Sequence, residues 1–160
     1  MPRAEQAIMI HGDPDAIFAI TNDIERWPVL FVEYRQARVL QHTRHGRFAK
    51  LVFELSNAEG ETWQSWRLLD YEERLAIAQR GTPLFPFRYM HLIWQYEPVP
   101  GGVIMRWIQD FEMDPQAPLS NEQALARTQD HMAHNQAHFK EVLEGQGTLA
   151  IRTDSGDRER

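Results

Sequence analysis

The chain of 160 residues contains no cysteine. That excludes disulfide frameworks, thiolate catalysis and cysteine-based zinc sites. Positive charge is in the minority: 17 basic residues face 23 acidic ones, for a net charge of −6, and only Lys50 and Lys140 of the basic set are lysines. A balance of this sign argues against nucleic acid as the main partner. No apolar run reaches membrane-spanning length, and no charged-then-apolar leader opens the chain. The expected location is therefore the cytoplasm, with no membrane partner. A glycine-rich phosphate loop and a nucleophile elbow are both missing, so neither a nucleotide nor a serine triad is expected.

Aromatic residues, by contrast, are plentiful, with five Trp and eight Phe. Large aromatics fill cores and also line apolar ligand pockets. The most informative stretch is Thr62-Trp63-Gln64-Ser65-Trp66-Arg67-Leu68. Its alternation, without Gly or Pro, predicts a strand. Side chains on a strand alternate between faces, so Trp63, Ser65 and Arg67 share one. Two readings are open for that face: a solvated surface with a stray Trp, or the wall of a ligand cavity with Arg67 as a fixed charge.

Along the chain, residues 3–10 predict a first strand, and Asp13-Pro14 predicts the capped start of a short helix. Thr21-Asn22-Asp23 breaks that helix and starts a second, which Trp27-Pro28 is expected to end. Strands are then predicted over 34–41, 47–55, 62–70, 71–80, 87–96 and 103–113, joined by short turns. That run reads as an antiparallel meander. Ser120-Asn121-Glu122-Gln123 has the form of a capping box. Leu125, Thr128, Met132, Asn135, Phe139 and Val142 follow at spacings of three and four, the stripe of a helix about six turns long. Gly145 and Gly147 are expected to end it. Residues 1–147 form a single domain in this reading, and 148–160 a disordered tail. Asn135 is the polar member of the stripe, either bonded to backbone or a hydrogen bonder at a cavity wall. His131, His134 and His138 have a spacing that suits a metal, but they lie off the stripe with no carboxylates to complete a site. A solvated helix face is expected there, and no metal.

Three segments carry a family resemblance. They are Thr21-Asn22-Asp23-Ile24-Glu25-Arg26-Trp27-Pro28 with Leu30-Phe31 and Glu33-Tyr34 after it; Pro86-Phe87-Arg88-Tyr89-Met90 with Trp94 and Tyr96; and 101–111, from Gly101 to Phe111. From about residue 5 to 144 the chain resembles bacterial aromatic polyketide aromatase/cyclases of the tetracenomycin and spore-pigment type. The resemblance implies an α+β, START-like (Bet v 1-like) helix-grip fold. In it, a seven-stranded antiparallel sheet curls around a long C-terminal helix, two short helices follow strand 1, and a cavity lies inside.

The resemblance also implies a site. Arg67, Tyr34 and Ser65 fall on the catalytic positions. Trp27, Phe31, Trp63, Arg80, Phe87, Met90, Leu92, Trp94, Trp107, Gln109 and Asn135 fall on pocket positions. The implied activity is cofactor-independent aldol cyclisation and dehydration of a poly-β-ketone bound to an acyl carrier protein, with other polyketide synthase subunits as partners. Arg67 suits the stabilisation of enolate or alkoxide oxygen. Tyr34 suits proton transfer, its pKa lowered by a nearby guanidinium. Relatives differ at the turn before Gly60, at the loop 81–86 and at His91, where they carry Asn. By alternation His91 faces away from the pocket. The alternative is a non-catalytic lipid or quinone carrier of the same fold, which needs apolar walls but not Arg67 and Tyr34 together. Arg35, Arg38, Arg44 and Arg47 could meet an acidic carrier protein or form an ordinary surface.

Overall fold

The computed structural model describes residues 2–145. Strand β1 (Arg3–His11) leads to helix α1 (Pro14–Thr21), a 3-10 turn (Ile24–Arg26) and the one-turn helix α2 (Trp27–Leu30). Six strands follow: β2 (Tyr34–His45), β3 (Phe48–Asn57), β4 (Thr62–Asp70), β5 (Leu75–Arg80), β6 (Phe87–Val99) and β7 (Gly102–Met113). Helix α3 (Asn121–Glu159) closes the chain. The seven strands form one sheet in the order β1-β7-β6-β5-β4-β3-β2, every neighbour antiparallel. The helix-grip architecture expected from the sequence is the one observed.

Local chemistry explains most element ends. Asp13 accepts from the Ala16 amide at 2.9 Å and caps α1. The capping box of α3 closes both ways, Gln123 N to Ser120 Oγ at 3.1 Å and Ser120 N to Gln123 Oε1 at 2.9 Å. Gly102 lies so close to β1 that a Cβ would collide with the Ile10 carbonyl, which lets β1 pair with β7 down to its last residue.

Several boundaries differ from the expectation: β2 runs on to His45 and β6 to Val99, past the predicted ends at 41 and 96. Trp27-Pro28 opens a helical turn rather than ending one. Trp27 is helical (φ −59°, ψ −31°) and the Phe31 amide donates to its carbonyl. Pro is tolerated there because first-turn amides need no intrahelical partner. The strand expected over 71–80 begins only at Leu75. Asp70 draws in the amides of Glu72 and Glu73, and Arg74 takes a left-handed conformation (φ 51°), so residues 71–74 turn. Finally, Gly145, expected to stop α3, lies within it; Gly147 and the tail 148–160 fall outside the described residues.

The apolar stripe of α3 packs across the inner face of the sheet. Met132, Asn135, Phe139 and Leu143 are buried, and Gln136 joins them by donating to the carbonyls of Gln6 and Met105. That gives the buried amide polar partners among the sheet's own backbone groups.

Candidate active site

Strand β4 behaves as its alternation predicts. Trp63, Ser65, Arg67 and Leu69 point inward, while Gln64 and Leu68 are exposed. β6 supplies Leu92, Trp94 and Tyr96 on the same inner side, and β7 supplies Met105, Trp107 and Gln109. His91 points outward, as expected. Phe31, at the end of α2, and Phe139 of α3 close over these strands.

Between sheet and helix, several of the protein's own rings pack against one another. Trp94 stacks on Trp107 with centroids 4.4 Å apart and planes 11° apart. Phe139 meets Trp107 edge-on at 5.0 Å, and Phe31 stacks on Trp107 at 5.7 Å. Trp27 lies 5.0 Å from Phe31 and 5.8 Å from Trp94. Tyr34 and Trp63 continue the row, Tyr34 4.7 Å from Phe31 and 5.9 Å from Trp63. Residues expected to line a cavity thus pack against one another. A hollow lined by Arg3, Tyr89, His91 and Asp110 lies on the opposite face of the sheet, away from this cluster.

Arg67 sits in the middle of the rings. It is 1% exposed, with its guanidinium carbon 4.1 Å from the Trp94 centroid and 5.2 Å from that of Trp27. Aromatic faces attract a cation, the more so where water is excluded. Its Nε donates to Asn22 Oδ1 at 2.8 Å, whereas its Nη2 is buried with no partner. The Trp107 indole Nε1 is likewise buried and unpaired. Two orphan donors in one apolar interior are costly, and such groups call for an explanation. Burial lowers the Arg67 pKa to about 10, against the pull of Tyr96 and Tyr34 the other way. At neutral pH the group stays charged.

Tyr34 packs on Trp27 at 6.0 Å, on the ring that also contacts Arg67. The expectation of a lowered phenol pKa is overturned. Burial raises it, reinforced by Glu33, and the opposing effects of Arg80 and Arg67 are smaller. Tyr34 is therefore a neutral phenol, able to donate a hydrogen bond but poorly suited to carry negative charge.

The other expected positions divide. Ser65 sits between Trp63 and Arg67 on the inner face, level with Arg80 of β5. Arg80 spends its donors on the chain itself: Nε on the Pro83 carbonyl at 3.0 Å and Nη2 on the Phe85 carbonyl at 3.2 Å, with Trp63 4.7 Å beneath the guanidinium. Leu92 and Gln109 are register partners, both half-buried. Phe87 and Met90 belong to a separate apolar cluster with Phe111, Met113 and Ala124, near the start of α3. Asn135 is buried but turned toward the chain after α2. It accepts from the Val32 amide at 3.3 Å and donates to Glu33 Oε1 at 3.4 Å. Of its two open readings, the backbone-bonded one describes what is seen.

His131 and His138 are not merely solvated. His131 Nδ1 lies 3.7 Å from Glu33 Oε2, and the ring of His138 bonds the Val29 carbonyl at 2.9 Å. With Asn135 they hold residues 29–33, the stretch that delivers Phe31 and Tyr34. The basic strip on β2 and the turn after it is largely engaged at its own surface: Arg47 pairs with Asp70 at 2.7 Å, Arg38 with Glu54 at 3.3 Å, and Arg44 lies over Tyr71.

Sequence reasoning missed the polar network behind Arg67. Asn22, read as a helix breaker and as part of a motif, and Tyr96, read only as part of a motif, meet there with Thr21. The available signals were the inward register of Tyr96 two residues after Trp94 and the clustering of Thr21 and Asn22 at the end of α1.

A curled seven-stranded sheet gripping a long helix is the helix-grip fold, here with an arginine buried among aromatic rings. The chain belongs to the family described as polyketide cyclase / dehydrase and lipid transport, whose model matches residues 1–144. A Streptomyces cyaneus protein that carries the provisional name polyketide cyclase is 37% identical over 118 residues, 73% of this chain and 77% of that one. The granaticin polyketide synthase bifunctional cyclase/dehydratase of Streptomyces violaceoruber is 28% identical over 130 residues, which cover 78% of this chain but 40% of that protein. Among solved structures, the Zhui aromatase/cyclase of Streptomyces sp. R1128 superimposes with a TM-score of 0.71 at 13% identity, over 93% of this chain and 94% of that one. The di-domain aromatase/cyclase BexL gives 0.72 at 19% identity, over 90% of this chain and 47% of that one. This chain therefore spans about half the length of BexL. The two superpositions speak to the fold.

Proposed function

We propose that the protein is a polyketide aromatase/cyclase that folds a carrier-protein-bound poly-β-ketone between its sheet and α3 and closes the first ring by aldol condensation and dehydration. The observation that carries this reading is the buried guanidinium of Arg67, with Nη2 unpaired in an aromatic interior. In the reaction, a methylene between two carbonyls loses a proton and its electron pair forms a C–C bond to a distant carbonyl carbon. The π electrons of that carbonyl move to its oxygen, which takes up a proton in place of the one the methylene released, so the addition is proton-neutral overall. Loss of the resulting hydroxyl with a neighbouring proton, as water, leaves the ring unsaturated. The enolate and alkoxide oxygens are the points where charge develops. Arg67 Nη2 is placed to stabilise them in a water-poor site, where a preorganised donor is worth far more than in solution. Tyr34, kept neutral by burial, donates a hydrogen bond to the developing alkoxide. Ser65, between Trp63 and Arg67, orients a carbonyl. Trp27, Phe31, Trp63, Trp94 and Trp107 restrain the flexible chain, the entropic part of the task. For the ketide to enter, these rings must part. Residues 29–33, fastened to α3 by side-chain contacts rather than by sheet pairing, are the segment best placed to yield.

The second reading, a carrier of an apolar ligand, draws support from the predominantly aromatic interior and from the lipid-transport branch of the family description. Adding the protein to a minimal aromatic polyketide synthase separates the two. A shift from mixed, spontaneously cyclised products to one with a defined first ring is expected. An unchanged profile from an active synthase would overturn the cyclase reading and leave the carrier.

A further inference from the structure

Arg67 is held by an uncharged partner. Its Nε donates to Asn22 Oδ1 at 2.8 Å. Asn22 is itself fixed: its Nδ2 donates to the Phe18 carbonyl at 2.9 Å and to the Tyr96 hydroxyl at 3.2 Å. The Tyr96 hydroxyl shares a 2.7 Å hydrogen bond with Thr21 Oγ1, which also reaches the Ile17 carbonyl at 2.7 Å. Thr21, Asn22, Tyr96 and Arg67 are all buried. The network therefore ties the guanidinium to the last turn of α1, an element outside the sheet that carries it.

The chemistry of the partner matters. A buried arginine is ordinarily matched with a carboxylate, which gives a stronger bond and cancels the charge. Here the groups around the guanidinium are an amide, neutral phenols and indoles. An amide oxygen holds Nε in place but leaves the charge intact. Trp94 fixes the plane of the group from one side. Nη2 is left buried and without a partner.

We infer that Asn22 is the positioning residue for Arg67: by binding Nε through a neutral amide it fixes the guanidinium against Trp94, leaves Nη2 for the ligand, and keeps the positive charge uncancelled for an anionic enolate or alkoxide oxygen. The inference rests on the cyclase reading of Arg67. It assigns a reason for Asn rather than Asp at position 22: the isosteric acid would preserve the bond and remove the function.

Two readouts on the full chain test this. The first is the Arg67 Nε–H resonance in a ¹H–¹⁵N correlation spectrum, assigned by its loss in Arg67→Lys. The second is the yield of the defined first ring from a reconstituted synthase. The wild type is expected to show a slowly exchanging Nε–H. In Asn22→Ala that resonance broadens or vanishes, and the yield falls at least tenfold. In Asn22→Asp the resonance persists, and the yield falls as far, because a carboxylate now neutralises the cation. A purely structural Asn22 would give the opposite pattern for the Asp variant, a retained bond with retained activity, and that result would overturn the inference. So would an undisturbed Nε–H in Asn22→Ala. Near-UV circular dichroism reports folding of each variant, and either variant alone suffices to overturn the inference. Wild-type yield from Arg67→Met would instead sink the cyclase role of Arg67 itself, and with it the use of Asn22. That outcome is distinguishable, because the resonance reports the hold on Arg67 whatever the activity.

Discussion

Two arginines point into the grip from neighbouring strands, and they are used in opposite ways. Arg67 on β4 and Arg80 on β5 lie on the same inner face, both over tryptophan rings and both with a pKa lowered first by burial. Arg80 gives its donors to two carbonyls of the loop 81–86 and so fastens that loop to the sheet. Arg67 gives only Nε to a side chain and keeps Nη2 bare. An arginine bonded to backbone has satisfied its chemistry within the fold. One left with an unmet donor at full burial destabilises the fold, and that cost is a reason to look for a ligand. The comparison teaches that position on the inner face does not define a site residue. Unspent hydrogen-bonding capacity is what singles out Arg67 for the proposed role.

Replacing Arg67 should therefore separate function from stability more sharply than any other change. Arg67→Met keeps the length and apolar stem of the side chain. It should lower ring-forming activity by roughly 10²–10³-fold, the scale of losing a preorganised donor at a developing oxyanion. It should also raise stability in a denaturant titration. A drop in pKa from 12.5 to about 10 corresponds to a burial cost of roughly 3 kcal/mol at 1.36 kcal/mol per unit. The net gain expected is about 1–2 kcal/mol, since the bond to Asn22 and the cation–π contacts are lost as well. A variant both inactive and destabilised would mean that Arg67 holds the fold together and that its resemblance to Arg80 is closer than its free donor suggests.

Arg80→Ala is the counterpart. It should cost about 1–2 kcal/mol through the two lost hydrogen bonds and the lost packing on Trp63. Cyclisation should fall only about tenfold or less, as a positioned loop loosens without loss of the charge-stabilising group. Hydrogen exchange of the amides in residues 81–87 should quicken. A loss of activity as deep as that of Arg67→Met, with exchange unchanged, would make Arg80 a second oxyanion donor and break the contrast.

Much of this was written in local pattern. The alternation of Trp63, Ser65 and Arg67 put the right side chains on the inner face, because strand period depends only on neighbours. The α3 stripe did the same at helical period. The Asn22–Arg67 bond was not legible, because its partners lie 45 residues apart and neither carries a local pattern that points to the other. The same holds for Tyr96 and Thr21, 75 residues apart. Aromatic abundance was correctly tied to the interior, but composition does not distinguish rings that line a space from rings that fill it. Only the centroid separations, such as 4.4 Å for Trp94 and Trp107, do so. The Tyr34 pKa was misjudged for a related reason. Sequence shows that a cation is near, but not how much water has been removed, and here desolvation outweighs the cations.

The smallest effect expected bears on why Arg67 is costly. A buried base whose folded pKa lies below its unfolded value takes a stability penalty wherever it is protonated in both states. Below about pH 10 Arg67 carries that penalty in full. As pH rises above 10 the folded form sheds its proton first, the unfolded state binds more protons, and stability rises with pH. The buried phenols push the other way. Tyr96 is raised to about 12 by burial, so it keeps its proton in the folded state after the unfolded chain has released it. Stability from that source is lost as pH climbs beyond about 10. Comparing wild type with Arg67→Met at each pH leaves Tyr96 and Tyr34 largely common to both. The stability advantage of the variant should be flat from pH 7 to 9 and then shrink by about 1 kcal/mol between pH 10 and 11, at most 1.36 kcal/mol per unit. Urea titrations at matched ionic strength would resolve it. An advantage that stays constant across this range would mean that Arg67 does not lose its proton there, and that the variant's gain comes from packing rather than from relief of a buried charge.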